Sequence, residues 1–165
     1  MNILAIDPGN IESAYVMLND NLEPVYFEKC TNERLIAMIY NTDFQDKKIH
    51  HVVIEMIASY GMSVGKEVFD TCVWIGRFKE AIIQEGIIPN CIYRKDEKMN
   101  LCNSMKANDS NITQALIDRF APGIRNHGKG TKKEPGWFYG FSKDVWQAYA
   151  VGVTYADMYI KSDRG

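Results

Sequence analysis

The sequence predicts a mixed α/β fold in which a five-stranded sheet is flanked by helices. Three short apolar stretches near the N-terminus are separated by polar turns, which indicates a meander of three antiparallel strands. Farther along the chain, helical periodicity alternates with two more apolar runs, 50–55 and 87–93. A strand, a helix and a second strand in succession favour a right-handed parallel crossover. Together these patterns predict one mixed sheet.

Length and composition favour one ordinary globular unit. The 165 residues predict a single domain, 1–165, with 46% hydrophobic and 12% aromatic content. A net charge of -2 means that a nucleic-acid binder would have to gather its basic residues locally. No stretch is apolar enough to span a membrane, so no membrane partner is expected. The four cysteines are far apart and form no CxxC pair, which predicts buried thiols in a reducing cytoplasm.

The opening residues, MNILAIDPGNIE, predict a buried strand around which the other elements are arranged. The apolar run 3–6 continues into Asp7, and Pro8-Gly9 ends it, as expected for a buried strand followed by a turn. This strand would deliver one carboxylate to an edge of the sheet. The alternative is that Asp-Pro-Gly is only a turn, because all three residue types favour turns.

The middle of the chain repeats this pattern. Stretches 14–18 and 24–27 complete the meander, and Thr31 caps a first helix. The segment HHVVIE is a β-branched strand that ends in Glu55. A long helix, 65–84, follows, and its spacing predicts these buried residues: Val68, Phe69, Cys72, Ile75, Phe78 and Ile82.

The C-terminal third predicts two helices separated by a polar loop, 121–140. The first spans 110–120, and the second begins after Ser142 and runs to about Ile160. In the second helix a stripe of small residues, Ala148, Gly152 and Ala156, would let its axis approach the sheet closely. Asp144 precedes this stripe by one turn, so we expect its side chain to point toward the sheet.

Three carboxylates, Asp7, Glu55 and Asp144, are therefore predicted to converge. Crowded carboxylates repel one another unless they are protonated or neutralised by metal. Hard oxygen ligands suit Mg²⁺ or Mn²⁺, and a pair of such ions supports phosphodiester hydrolysis. The alternatives are that Glu55 is a surface residue at a strand end and that Asp144 only complements a helix dipole.

Three segments, IDPGNIESAYV, VVIEMIASYG and KDVWQAYAVG, resemble the signature regions of RuvC-type Holliday junction resolvases. The resemblance covers nearly the whole chain in order and spacing. It implies an RNase H-like fold, with the first strand central and the Glu55 strand beside it. The length of the chain is similar to that of phage-encoded members of this family.

The resemblance also implies a homodimer that cuts four-way junctions and other branched DNA with two Mg²⁺ ions per site, or with Mn²⁺ in their place. Asp7 would bridge the ions, and Glu55 and Asp144 would each hold one. The family usually has an Asp or a His three residues after the last-motif acid, where this chain has Gln147. An amide oxygen can coordinate Mg²⁺ or orient a water, but it adds no negative charge.

The resemblance also implies which residues would contact DNA. The family usually carries an aromatic residue three positions after the catalytic Glu, where this chain has Ala58, and Tyr60 is the candidate substitute. A DNA-contacting Lys of the family corresponds most closely to Asp109, with Lys98 and Lys106 on either side. The late loop supplies further candidate DNA-binding residues: Arg125, Lys129, Lys132 and Lys133.

Two other functions remain compatible with the sequence. One is a non-catalytic or RNA-directed nucleic-acid-binding protein of the same fold, which Gln147 favours and the three retained acids disfavour. The other is an actin-like or sugar-kinase phosphate loop, since these folds also open with a strand, an acid and Gly. Such ATP-binding folds use two domains, for which this chain is short.

Overall fold

A computed structural model describes residues 1–41 and 48–161 and shows a five-stranded mixed sheet with helices on both faces. The strands are β1 (Ile3–Asp7), β2 (Glu12–Leu18), β3 (Pro24–Thr31), β4 (His51–Met56) and β5 (Asn90–Tyr93). The helices are α1 (Asn32–Tyr40), α2 (Lys66–Gln84), α3 (Arg94–Cys102), α4 (Asp109–Phe120) and α5 (Lys143–Tyr155), and a π-helical segment (Ala156–Ile160) extends α5. Within the described ranges, no helix is long and apolar enough to cross a membrane.

The strand order is β3-β2-β1-β4-β5, which confirms the predicted mixed α/β fold with β1 at the centre. β1, β2 and β3 form the antiparallel meander, whereas β4 pairs in parallel with both β1 and β5. Because helix α2 connects β4 to β5, the two parallel strands are joined by the crossover that the sequence predicts. The carboxyl ends of β1, β4 and β5 therefore share one edge of the sheet.

The sheet separates two hydrophobic clusters, and β1 contributes to both. Ile3 and Ala5 pack with α4 and α5 on one face, whereas Leu4 and Ile6 pack with α1 and α2 on the other. All four side chains are fully buried. A strand covered on both faces needs a continuous apolar run instead of an alternating one, which explains the ILAI sequence.

The small-residue stripe of α5 allows close contact with the sheet, as its spacing predicts. A Cβ on Gly152 would lie 2.3 Å from Leu18 Cδ1 and 3.0 Å from Ala5 Cβ. Ala148 and Ala156, one turn away on either side, are also buried. Glycine is therefore required where α5 crosses β1 and β2, and this contact fixes the position of the first turn of α5.

One predicted boundary and one missing helix distinguish the sequence prediction from the structure around β5. β5 begins at Asn90, later than the predicted position 87, and a helix that the sequence did not predict, α3, follows it directly. The sequence RKDEKMNLC has few apolar residues, so it lacks the periodicity that identifies a helix. α3 is anchored at its far end, where Asn100 and Arg119 both donate hydrogen bonds to Asp157.

Two predictions about buried side chains are wrong. Phe69 and Cys72 of α2 are exposed, although Ile75, Phe78 and Ile82 are buried as predicted. The apolar residues of α2 cover more of its circumference than the sheet does, so periodicity alone misplaced its inner face. Of the four cysteines, Cys30 alone is fully buried, whereas Cys91 and Cys102 are half-buried.

The packing of α5 yields a stability prediction. Gly152→Ala places a methyl group against Leu18 and Ala5, and overpacking of this kind costs about 1–3 kcal/mol of unfolding free energy. Gly76→Ala is the matched control, because a Cβ there meets open space and replacing a helical Gly by Ala gains up to about 1 kcal/mol. Urea denaturation measures both changes. A stabilised Gly152→Ala variant would show that α5 does not approach the sheet as described.

Candidate active site

Asp7 and Glu55 lie side by side at the carboxyl ends of two neighbouring parallel strands. β1 and β4 pair with Ile6 beside Ile54, so the next residue of each strand brings the two carboxyl groups together. Neighbouring strands are about 4.8 Å apart, and paired residues point to the same face. A hydrogen bond joins the two side chains. These two predicted site residues are therefore in direct contact.

A buried polar network holds the turn after Asp7. Ser13 Oγ accepts a hydrogen bond from the Gly9 N–H at 3.1 Å and donates one to Asn32 Oδ1 at 2.6 Å. The Asn32 amide donates in turn to the Gly9 carbonyl oxygen at 2.9 Å. Ser13 and Asn32 are both buried, so these bonds are shielded from water. The sequence analysis assigned neither residue a role, because single Ser and Asn residues carry no spacing signal.

The charges of Asp7 and Glu55 disfavour each other. Burial raises the pKa of the Asp7 carboxyl group, and the neighbouring Glu55 and Asp144 charges raise it further, against the opposing charge of Arg94. Burial also raises the pKa of Glu55, against the opposing Arg94 charge and the Asp7 hydrogen bond. A desolvated carboxyl pair of this kind retains a proton unless another positive charge replaces it.

Asp144 lies near this pair but binds a lysine. Its carboxylate is 2.8 Å from Lys29 Nζ, and the same nitrogen is 3.6 Å from Glu12. The Asp144 side chain is 39% exposed, so it reaches the edge of the sheet at β3 without becoming buried. Gln147 is half-buried on the same helix, one turn farther along. The Asp144 carboxylate therefore contributes to the raised pKa of Asp7, although Lys29 balances the charge of Asp144.

The donor chemistry fits a hard divalent cation, although the ligands are not assembled around one. Within residues 1–41 and 48–161, no three His, Cys, Asp or Glu side chains form a ready metal-binding group. Asp7 and Glu55 provide adjacent carboxylate oxygens, which Mg²⁺ and Mn²⁺ prefer. Lys29 holds one carboxylate oxygen of Asp144, Oδ2, so a cation at Asp144 would use the other oxygen or displace Lys29.

Two charged side chains beside this pair, Arg94 and Glu97, were not among the predicted site residues. Arg94 Nη1 is 2.5 Å from Glu97 Oε2, and Arg94 Nη2 also contacts Asp109. Both residues belong to the first turns of α3, which starts at the same edge of the sheet as Asp7 and Glu55. An Arg and a Glu three residues apart directly after a predicted strand were the available signal.

The predicted DNA contacts on the earlier elements are accessible to different degrees. Tyr60 is 62% exposed in the loop after β4 and adopts a positive φ of 48°. Lys106 is exposed in the turn before α4, whereas Lys98 is half-buried on α3. These residues belong to the segments that follow β4 and β5, so they are attached to the edge of the sheet that carries Asp7 and Glu55.

The late loop contains a tight basic turn. Gly130 has a φ of 68°, and a Cβ there would lie 2.3 Å from the Glu134 carbonyl oxygen, so the turn requires glycine. The Thr131 N–H donates to the same oxygen at 2.9 Å. Lys132 and Lys133 therefore occupy the tip of the turn, where both are exposed. The other predicted DNA-binding residues of this loop are the exposed Arg125 and the half-buried Lys129.

Comparison with solved structures identifies the class of fold as RuvC-type and RNase H-like, as the sequence resemblance implied. RuvC of Thermus thermophilus in complex with a Holliday junction substrate matches with a TM-score of 0.71 and 14% identity, covering 99% of this chain and 96% of that one. A second Thermus thermophilus RuvC structure matches with a TM-score of 0.67 and 16% identity, covering 96% of each chain.

A viral protein shares the same architecture. The fowlpox virus Holliday junction resolvase matches with a TM-score of 0.53 and 18% identity, covering 95% of this chain and 98% of that one. No family model and no curated protein matches the sequence. At these identities the likeness establishes the fold, and similarity to phage-encoded members stays a prediction.

Proposed function

We propose that this chain is a metal-dependent nuclease of a single domain that cleaves Holliday junctions and other branched DNA by phosphodiester hydrolysis. The observation that carries the proposal is the half-buried, hydrogen-bonded Asp7–Glu55 carboxyl pair on adjacent strands of a RuvC-type sheet. The solved structures with this fold include RuvC bound to a Holliday junction substrate and the fowlpox virus Holliday junction resolvase. Such a substrate would place the enzyme in the cytoplasm.

Asp7 and Glu55 would hold Mg²⁺, or Mn²⁺ in its place, with Asp144 and the Gln147 amide as additional oxygen donors. When bound, two such ions activate a water and stabilise the leaving oxygen of the scissile phosphodiester. Asp7 and Glu55 must then give up the proton that they share, because a protonated carboxyl group is a poor ligand. Asp144 would join them through the oxygen that Lys29 does not hold or by releasing Lys29, and a released ammonium group would be near enough to the site to pair with a DNA phosphate.

Replacing Asp7 tests the proposed catalytic role. Asp7→Asn should abolish cleavage of a labelled four-way junction in Mg²⁺ or Mn²⁺, while junction binding stays within about twofold, because the basic surface is unchanged. The variant should also fold. The pKa of Asp7 is raised in the folded protein, so its ionised form opposes folding at neutral pH, and the amide removes that cost.

Asp118→Asn is the matched control, because it removes an exposed carboxylate from α4. It should cut at the wild-type rate. Junction cleavage by folded Asp7→Asn at the wild-type rate would contradict the assigned site. Three-way junction and duplex substrates in the same assay measure the selectivity for branched DNA.

The basic turn supports binding to the DNA backbone. Lys132→Ala with Lys133→Ala should weaken binding to every DNA and flatten its salt dependence, by about 0.9 in log–log slope for each lost phosphate contact. The matched control is Lys48→Ala with Lys161→Ala, which removes two positive charges near the start of β4 and beyond the π-helical segment. The log–log salt slope of this control should equal that of the wild type. Fluorescence anisotropy at several salt concentrations measures both slopes. An unchanged slope in the first variant would remove this turn from the DNA interface.

A homodimer is part of the proposal, and the outer face of α2 supports it. Phe69 and Val73 lie one turn apart and are 60% and 62% exposed. Met62 and Tyr60, in the loop before the helix, are also exposed. Several large apolar side chains exposed in neighbouring segments are typical of an interaction surface. Two copies of the nuclease would let one junction be cut on two opposed strands.

Negative charges introduced on the outer face of α2 should weaken the contact between the two subunits. Phe69→Glu with Val73→Glu should raise the dimer dissociation constant at least roughly thirtyfold, since a central apolar contact contributes about 2 kcal/mol or more. Ile88→Glu, which alters an exposed apolar residue outside α2, should leave the dimer intact. Sedimentation velocity measures the mass of each variant. A wild-type protein that sediments at the mass of one chain would contradict the dimer.

One alternative has specific support. A nucleic-acid-binding protein of this fold without nuclease activity, or one directed to RNA, is consistent with Gln147 and with the Lys29–Asp144 ion pair. The same cleavage assay separates the two functions, because such a protein would bind junctions or RNA but cut no DNA in Mg²⁺ or Mn²⁺.

A further inference from the structure

Glu97 lies fully buried beside the proposed catalytic residues. The roles assigned to those residues give no reason for a buried carboxyl group at this position. α3 begins directly after β5, and β5 pairs with β4 so that Glu55 lies beside Ile92. The Asp96 side chain accepts a hydrogen bond from the Tyr93 N–H at 2.9 Å and fixes the start of this helix. Glu97 is therefore held at the edge of the sheet that carries Asp7 and Glu55.

One oxygen of Glu97 has no partner. The side chain is fully buried, and Oε2 accepts a hydrogen bond from Arg94 at 2.5 Å. Among the residues that the structure describes, Oε1 has no hydrogen-bond partner. A buried carboxylate oxygen without a partner costs free energy, and such an atom in a native fold calls for a functional or structural reason.

The charges around Glu97 make its burial more costly. Burial raises the pKa of Glu97, and the Glu55 and Asp7 charges raise it further, while Arg94 opposes them. When Asp7, Glu55 and Glu97 are all ionised, they and Asp109 face the single positive charge of Arg94. The site then carries an excess of negative charge, which a divalent cation would reduce.

A purely structural role accounts for only part of this arrangement. As an anchor for Arg94, Glu97 would need one oxygen, and Arg94 already has Asp109 as a second carboxylate partner. Neither contact gives a reason for the free Oε1 or for burial beside two other carboxylates. A cation at the site would supply both the missing partner and the missing charge.

We propose that Glu97 is a further carboxylate ligand of a divalent cation bound at Asp7 and Glu55, with Oε1 as the ligating atom. Among the described residues these three side chains do not form a ready metal-binding group, so the cation would draw them together. This inference rests on the proposed metal-dependent function. Arg94 would keep its hydrogen bond to Oε2 and orient the carboxylate, in the manner of an outer-shell partner. Glu97 thereby supplies a negative charge to a site in which Gln147 supplies none.

Calorimetric titration with Mn²⁺ in the absence of DNA tests this role without relying on cleavage. Glu97→Gln should bind Mn²⁺ at least tenfold more weakly than the wild type, because one charged ligand is lost. Glu97→Asp, which retains the charge, should recover part of the affinity. Glu85→Gln, which changes an exposed residue after α2, should bind as the wild type does.

Thermal unfolding without metal separates ligation from a structural role. Gln can accept the same hydrogen bond from Arg94, so Glu97→Gln should unfold at or above the wild-type temperature. A fall of several degrees would make Glu97 structural and overturn the proposal. Wild-type Mn²⁺ affinity in Glu97→Gln would overturn it while leaving the Asp7–Glu55 site intact. Absence of Mn²⁺ binding by the wild type would overturn both the ligand role and the metal-dependent function.

Discussion

The parallel pairing of β1 with β4 is the constraint on which the rest of the site depends. It places Asp7 and Glu55 side by side in a half-buried position, where two ionised carboxylates would repel each other. This arrangement costs free energy, so the surrounding structure has to hold it in place. The Ser13–Asn32 network fixes the turn after β1, and the close contact at Gly152 fixes α5 against the same strand.

Without a bound cation, two basic side chains form ion pairs with acidic side chains around the site. Lys29 pairs with Asp144, and Arg94 pairs with Glu97. Each of these basic side chains therefore binds a carboxylate that lies beside the Asp7–Glu55 pair. In the proposed function, a divalent cation would compete with Lys29 for Asp144, whereas Glu97 offers a free oxygen without leaving Arg94. Metal affinity would then depend on these ion pairs as well as on the ligands.

The sequence predicted the elements that carry a strong local pattern. β1, β4 and the small stripe of α5 follow from apolar runs, turn residues and four-residue spacing, and all three are present. Helix α3 was missed because its charged sequence has no apolar face, and Glu97 was missed with it. The exposure of Phe69 and Cys72 could not be predicted, because helical periodicity does not show which part of a broad apolar surface meets the sheet.

A crystal structure of the wild-type protein soaked in Mn²⁺ tests the central claim most directly, because anomalous scattering locates the ion independently of activity. We expect an anomalous peak in contact with carboxylate oxygens of both Asp7 and Glu55. An ordered Mn²⁺ bound only elsewhere, with the two carboxyl groups still hydrogen-bonded to each other, would contradict it.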